Sequence, residues 1–357
     1  LTAASVTVAI VPSTDSGGDS FAVDIDLPIS ITLSEAAIES LSIVGLSEEV
    51  IRFKRIALSA RIADRQLAIK SFELLAEGYE AGLAGSFALQ PQFPSDLQLD
   101  WRIGTGADAA VSATGQARLT GLLDAYRLQG ESSLSGTEIP AGHWLFTAEG
   151  SLDGLSSSDL AGQTLDGSIT GNGTLDWQQG FGWQLVLDLQ QINPGKHWPE
   201  WPGQLTTQLA SSGRLLDSDT QVALQLEQLR GELRGYPVAG QSEIKLENER
   251  LDIQQLDLTS ADNRITANGS IEQSWDITAQ AMLPDMEALL PGWQGAFALT
   301  GRIQGKRDQP QLAATVTAQQ LTGPSLVVDA LAGELQLQWS ESATQSASIK
   351  MQAVELA

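Results

Sequence analysis

Cysteine is absent from this chain of 357 residues. The absence excludes disulfide bonds, thiolate metal sites and thiol redox chemistry, so stability must come from packing and hydrogen bonds. Basic residues are scarce: 20 Lys and Arg stand against 44 Asp and Glu, which gives a formal net charge of −24. Because phosphate binding needs a basic face, nucleic acid is not an expected partner, and neither is an anionic membrane surface held by a polybasic patch.

Histidine is also scarce, and it occurs only at His143 and His197, without the carboxylate spacing of a zinc site. No Gly-x-Ser-x-Gly elbow, phosphate-binding loop or dinucleotide fingerprint is present. Carboxylates in predicted turns match no calcium-binding loop and are interpreted as solvated: Asp15, Asp19, Asp217 and Asp219. We therefore expect no metal, no cofactor and no enzymatic activity.

Long apolar runs are missing as well. None approaches the roughly 20 residues that a membrane-spanning helix needs. The first residues, from Leu1 onward, lack the basic segment of a secretory signal. Since the sequence pattern continues to both ends, we expect a piece of a longer protein, with any membrane anchor outside it.

Strict alternation of apolar and polar residues is the main feature that is present. Between Phe21 and Leu33, apolar side chains occupy every odd position. This period predicts a strand with one apolar and one solvated face, and Pro28 predicts an edge, bend or break in it. The period returns at Leu97–Ile103, Trp183–Leu189, Val222–Leu226, Ile244–Leu246 and Leu335–Trp339.

Turn and corner signals separate these strands. Turns are predicted at Asp15–Asp19, Gly104–Asp108, Asp153-Gly154, Asn172-Gly173 and Asn268-Gly269. Short helices are predicted at Ser34–Leu41 and Leu283–Leu290, and Asn193–Trp201 is a corner rich in Pro and Trp.

Two related spacings indicate an internal repeat. The apolar rungs of Leu67–Phe87 match those of Leu251–Ile271, which lie 184 residues later. Half of that spacing, 92 residues, superimposes Trp201 on Trp293 and several glycines on one another. A spacing that occurs once doubled and once single predicts one building unit, used three to four times.

The predicted fold class is therefore all-β. One-sided alternation over so long a stretch predicts an elongated, twisted and curled, mostly antiparallel repeat sheet, forming an open trough (a β-taco) with an apolar interior and a few short corner helices. Residues 1–357 are expected to form one continuous trough, with approximate repeats 21–100, 101–180, 181–272 and 273–357.

Side chains on the apolar face are the candidate lining of a groove for lipid. An apolar surface of this size stays unsealed in soluble proteins when it has a ligand, and acyl chains suit it because their burial is non-directional. The candidates are Phe21, Val23, Ile25, Leu27, Ile29, Ile31, Leu33, Leu67, Ile69, Leu97, Leu99, Ile103, Leu185, Leu187, Leu189, Val222, Leu224, Leu226, Ile244, Leu246, Leu251, Ile253, Ile277, Phe297, Leu299, Leu335 and Leu337.

The nine tryptophans leave a different interpretation open. Trp198, Trp201 and Trp293 cluster at predicted corners, and exposed rings on an acidic β-scaffold would suit carbohydrate. The alternative is that these rings fill the corners of the sheet core, which the repeat position of Trp201 and Trp293 favours.

Several short motifs resemble the TamB family of AsmA-like proteins. They are Asp26–Ile31, Pro199-Glu-Trp-Pro-Gly203, Leu229–Gly235 followed by Tyr236-Pro237, and Leu283-Pro284, Leu289–Gly292 and Gly295–Gly301. The resemblance implies the periplasmic part of an inner-membrane-anchored protein of a diderm bacterium. It also implies an outer-membrane barrel partner like TamA, met through a domain outside this chain, and a role in phospholipid transport and outer-membrane protein assembly.

The hypothesis that follows is a bridge-like conduit, which carries phospholipid acyl chains along a hydrophobic groove between the two membranes. One alternative is a scaffold that assembles outer-membrane proteins by strand addition to its sheet edges. A β-helical carbohydrate-binding protein is the other.

Overall fold

A computed structural model describes residues 2–3, 6–9, 29–44, 50–104, 110–216, 219–324, 326–338 and 346–355. The chain divides into two compact units, residues 1–164 and 165–357. Almost all of the described residues lie in strands, so the predicted all-β class is confirmed. None of the helical segments in the described part has the length and apolar character needed to cross a bilayer.

The N-terminal unit is an antiparallel meander, in which each strand from β5 onward pairs with the next one along the chain. The first two short strands add in parallel to β3 and β4. The strands are β1 (Thr2–Ala3), β2 (Val6–Ala9), β3 (Ile31–Ile38), β4 (Leu41–Val44), β5 (Val50–Ala63), β6 (Gln66–Ala76), β7 (Tyr79–Ala88), β8 (Ser95–Ile103), β9 (Ser112–Leu122), β10 (Ala125–Ser135), β11 (Gly142–Ser151) and β12 (Gly154–Thr164).

The C-terminal unit is a second meander, with each strand antiparallel to the next. Its strands are β13 (Gly167–Asp176), β14 (Phe181–Ile192), β15 (Gly203–Leu215), β16 (Thr220–Leu233), β17 (Tyr236–Glu247), β18 (Arg250–Ser260), β19 (Asn263–Ile271), β20 (Ser274–Leu283), β21 (Gln294–Lys306), β22 (Gln311–Gly323), β23 (Leu326–Gln338) and β24 (Ser346–Glu355). Within each unit, no pairing of described strands joins the two ends of the meander, so each sheet is open.

Two 3₁₀ turns interrupt the C-terminal meander, at Pro194–Lys196 and Met286–Ala288. We call residues 193–202 the first corner and residues 284–293 the second corner. The Asn193 side chain accepts a hydrogen bond from Gly195 N (3.0 Å), and Asp285 accepts one from Glu287 N (3.2 Å). The two capping residues are 92 positions apart, so the repeat spacing found in the sequence also relates the two corners, which are capped in the same way.

The doubled spacing of 184 residues is visible in the hairpins. Strand β6 is 184 residues before β18 at both of its ends. Each is followed by a hairpin partner, and each ladder shifts register at the same place, after Ile69 and after Ile253. Gly85 and Gly269 have φ values of 136° and 132°, and a Cβ at either would overlap the backbone oxygen of the facing strand. The division into four repeats within one continuous trough stays a prediction.

Some local predictions are wrong. The segment Ser34–Leu41 is not a helix, because β3 runs through Ile38 and pairs with β5; sheet pairing overrides the helix propensity of its Glu and Ala residues. Asn172-Gly173 and Asn268-Gly269 are strand residues in β13 and β19 rather than turns.

Other local predictions have mixed outcomes. Of the predicted strand Phe21–Leu33, residues 21–28 are outside the described part, and strand structure begins at Ile31. The turn predicted at Asp15–Asp19 also lies outside it, as do residues 105–108 of the turn predicted at Gly104–Asp108. The helix predicted at Leu283–Leu290 is reduced to one 3₁₀ turn, because β20 continues to Leu283.

Candidate functional site

Most of the large apolar residues of the C-terminal unit share one face of its sheet. Cross-strand partners in a ladder point to the same side, and one row of partners can be followed through the ladders from β14 to β23: Leu187, Leu209, Leu226, Ser242, Leu256, Ala267, Ala279, Gly301, Ala314 and Leu335. The register places the predicted lining residues of this unit on the same face: Leu185, Leu187, Leu189, Val222, Leu224, Leu226, Ile244, Leu246, Leu251, Ile253, Ile277, Phe297, Leu299, Leu335 and Leu337.

The N-terminal unit has an apolar face of the same kind. Its row of partners is Leu58, Phe72, Leu83, Leu99, Ala117, Gly130, Phe146 and Leu160. Predicted lining residues on this face are Ile31, Leu33, Leu67, Ile69, Leu97, Leu99 and Ile103. Ile29 precedes β3. Four further candidates lie outside the described residues: Phe21, Val23, Ile25 and Leu27.

Most of these side chains are only partly buried. Among the described lining residues, only Leu97 (6% exposed) and Ile277 (7%) are buried, while Leu224 is 37% exposed. A sandwich packed at native density would bury aliphatic side chains at its centre. Over most of its area, the apolar face of each unit is therefore not covered by a second layer. That the residues line a lipid groove stays a prediction.

Large rings lie flat on this face, because glycines face them on the next strand. In the N-terminal unit, Trp101 pairs with Gly115, and Phe146 pairs with Gly130. A Cβ at Gly115 would overlap the Trp101 ring, and one at Gly130 would lie 2.7 Å from Phe146 Cζ. The two ring centroids are 6.3 Å apart, although β9 and β10 lie between their strands. Rings in this orientation form a flat apolar surface, which we call the aromatic floor. They leave the space above the sheet unfilled.

The lining residues predicted from the sequence do not include those of the aromatic floor. The strands from β9 to β12 contributed no candidate, because their inward positions are mostly small residues such as Ala113, Gly115 and Ala117. Alternation of small residues, with an aromatic residue on a neighbouring predicted strand, was the available signal.

One edge of the C-terminal unit's apolar face is sealed. Met286 of the second corner packs with Leu283, Ala318, Leu321 and Val328 in a buried cluster. Partly buried side chains surround this cluster: Ile265, Ala281, Leu289, Trp293, Phe297 and Leu331. The predicted lining residue Phe297 thus belongs to the plugged part of the face, which alternation alone did not reveal.

A single buried amide holds the second corner in place. Asn263, 1% exposed, is the first residue of β19. Its Nδ2 donates to the Asp285 carbonyl oxygen (2.8 Å), and its Oδ1 accepts from Asp285 N (3.0 Å). Both backbone groups of the corner's cap residue are satisfied by one side chain, so the corner is fixed to the sheet at that point.

The opposite face of each sheet is polar, with arginine–carboxylate pairs between strands. Arg102 pairs with Glu80 (2.7 Å), and Arg302 pairs with Asp276 (2.6 Å). Arg118 binds both oxygens of Asp96, and this hydrogen bonding lowers the pKa of the Asp96 carboxyl below its usual value of 3.8. With carboxylates in excess, this face is suited to water rather than to an anionic partner.

The Asp96 pair leads to a titration prediction. Because the folded-state pKa of Asp96 is depressed, any stabilisation by the pair is present above the unfolded value and is lost as the pH falls through the folded value. Arg118→Gln removes the charged donor, so the Asp96 pKa is expected to rise towards 3.8. Carboxyl titration by NMR measures it, with Arg102→Gln as the matched control. An unchanged Asp96 pKa in Arg118→Gln would contradict the assignment.

Neither histidine has metal-site surroundings. His143 Nε2 lies 3.7 Å from Glu131 Oε2, and His197 packs edge-on against Trp198. Within the described part of the chain, no group of three or more His, Cys, Asp or Glu side chains could hold a metal ion.

The corner tryptophans differ in exposure. Trp198 is exposed, whereas Trp201 is partly buried and the Arg234 guanidinium lies 5.8 Å from its ring centroid. Trp293 lies against Gly323 and borders the buried cluster. Trp201 and Trp293 therefore serve corner packing, and Trp198 is left as the exposed ring of the first corner.

Comparison with known proteins identifies the family. A model of the TamB N-terminal domain matches residues 101–357. The chain is 27% identical over 235 residues, or 65% of its length, to the translocation and assembly module subunit TamB of Haemophilus influenzae. The matched part makes up 17% of that relative. No solved structure matches the chain. Since the family model covers most of the sequence, this chain belongs to the TamB family.

Proposed function

We propose that this chain is a segment of a lipid conduit, in which the apolar face of each unit holds the acyl chains of phospholipids. The proposal rests on one observation: the apolar face is continuous across the strands of each unit, and its side chains remain partly exposed. One apolar face runs through the described ladders of each unit, and its side chains are mostly half-buried. An apolar surface of that extent on a strongly acidic chain needs an apolar ligand.

Energetics favour movement along such a face. Burial of an acyl chain contributes about 0.8 kcal/mol per CH₂ and has no preferred direction. Neighbouring strands present similar apolar rows at intervals of about 4.8 Å. A bound chain therefore meets nearly equal energies from one strand to the next and can move without a deep trap. The proposal requires no catalytic group, metal or cofactor.

The cellular setting is proposed from the relative. The Haemophilus influenzae protein is a subunit of a translocation and assembly module, and we assign this chain to the equivalent subunit of its own cell. The segment would lie in the periplasm, between an inner-membrane anchor and a TamA-like barrel partner in the outer membrane. Both membrane contacts would be made by parts of the protein outside this chain.

Site-specific photocrosslinking in living cells tests the conduit. A photoreactive residue at Leu187 or Leu224 in the full-length protein is expected to capture phospholipid, because both positions lie on the apolar face. The same residue at Asp188 or Gln225, one position along each strand, points to the polar face and is expected to capture none. Equal capture on both faces, or none on either, would refute the proposal. Capture of polypeptide by probes on the edge strands, with no lipid captured at the apolar positions, would instead favour the scaffold role.

A further inference from the structure

The apolar face of the C-terminal unit differs between its two edges. In an antiparallel meander, alternate turns fall on the same edge, so the first and second corners, which follow β14 and β20, share one edge. The second corner plugs this edge with Met286 and its buried cluster. Ile192, next to the first corner, is buried too.

At the opposite edge the apolar face stays open. The connections on this side include residues 177–180 and the segment between β15 and β16. Trp177, Phe181, Leu215 and Leu216, at these turns, are all exposed large apolar side chains. Phe181 and Leu215 are direct cross-strand partners on the apolar face itself. Along β14 the face therefore runs from the buried Ile192 beside the first corner to the exposed Phe181 at the opposite edge.

The open span on β21 is long enough for one acyl chain. On β21, the apolar-face positions beyond the plugged Phe297 run from Leu299 to Gly305. These six residue steps, at about 3.3 Å each, span about 20 Å. A bilayer's hydrocarbon core is about 30 Å thick, so one tail occupies about 15 Å. One tail laid along the strand would fit within this span.

We infer that the second corner is the stop for acyl tails in this unit. This inference rests on the proposed function. Tail ends lie against Leu283, Met286 and Leu289, and headgroups lie along the opposite edge, at the turns 272–273 and 307–310. The corner thereby limits the length of tail that the unit accepts, and it gives every lipid the same orientation across the strands.

Two photoreactive phosphatidylethanolamines test the orientation in the purified full-length protein. One carries a diazirine on the last carbon of an acyl chain, and the other carries it on the headgroup. After irradiation, mass spectrometry of peptides maps the labels within residues 263–323. We expect the ratio of corner-side to turn-side labelling to be at least about tenfold higher for the tail probe, because a reversed lipid would place its polar headgroup against the buried apolar cluster of the second corner.

The outcomes separate the two proposals. Identical label maps for the two probes would overturn the stop while leaving the conduit intact. No labelling of the apolar face by either probe would overturn the conduit, and the stop with it.

A pair of neighbouring substitutions tests the corner itself. Leu289 borders the buried cluster, whereas Leu290 is 44% exposed. Leu289→Ala removes part of the stop, so tail-probe labels are expected to move from Leu299 and Ala281 towards Met286. Leu290→Ala makes the same change in composition and should leave the map unaltered. An unmoved map in Leu289→Ala, with hydrogen exchange of β20 and β21 unchanged, would overturn the assignment of the corner as the stop.

Discussion

Replacing Asn263 with alanine is expected to release the second corner from the sheet. The substitution removes both hydrogen bonds to Asp285 and leaves the N–H and the carbonyl of this partly buried residue without their partner. An unsatisfied buried group costs about 1–3 kcal/mol, so the loss of both partners should cost the corner about 2–6 kcal/mol of local stability. At 1.4 kcal/mol per factor of ten, even the lower figure corresponds to about 30-fold faster opening.

Hydrogen–deuterium exchange of residues 284–293 measures this effect. Asn268→Ala is the matched control, because Asn268 lies on the same strand with an exposed side chain, and surface substitutions usually change stability by less than about 0.5 kcal/mol. If exchange in the corner were equally slow in both variants, the amide would not be what fixes the corner.

The substitution Leu224→Asp is expected to stop lipid movement without unfolding the sheet. Leu224 lies on the apolar face and is 37% exposed, so the free protein can keep a carboxylate there hydrated. A passing acyl chain would have to displace that water, and burying an unpaired charge costs at least about 3 kcal/mol. Passage should then be at least about 100-fold slower.

Gln225→Asp provides the control for charge, since it adds the same carboxylate one residue further along β16, on the polar face. The measurement is the rate at which newly made phospholipid reaches the outer membrane, in a strain that depends on this protein for the transfer. Equal rates in the two variants would show that the apolar face of this unit is not the route.

Alternation predicted the faces of the sheet well and the ends of its strands poorly. All the lining residues named in the C-terminal unit share one face, because a period of two has only two possible sides and burial selects between them. Asn172-Gly173 and Asn268-Gly269 were taken for turns because of their composition. In the sheet, Gly269 has a positive φ and lets the backbone of Asp276 approach closely.

The sealed edge was not predictable from local pattern. Phe297 and Leu299 alternate in the same way along β21, yet only Phe297 packs against the cluster of the second corner. The difference depends on how the 3₁₀ turn folds back over the sheet, and that depends on Asn263, a residue distant in sequence from the corner. A polar residue at the start of a strand does not by itself indicate that its side chain will hydrogen-bond the backbone of a distant turn.

The sequence by itself determined the fold class, the one-sided character of the strands, the repeat spacing and the resemblance to the TamB family, because each follows from short periods and short motifs. Only the tertiary structure decided which apolar residues are covered, where rings lie flat over glycines and which edge of the C-terminal sheet is closed. These features depend on contacts between strands and corners that are far apart in the chain, and alternation within one strand contains no information about them.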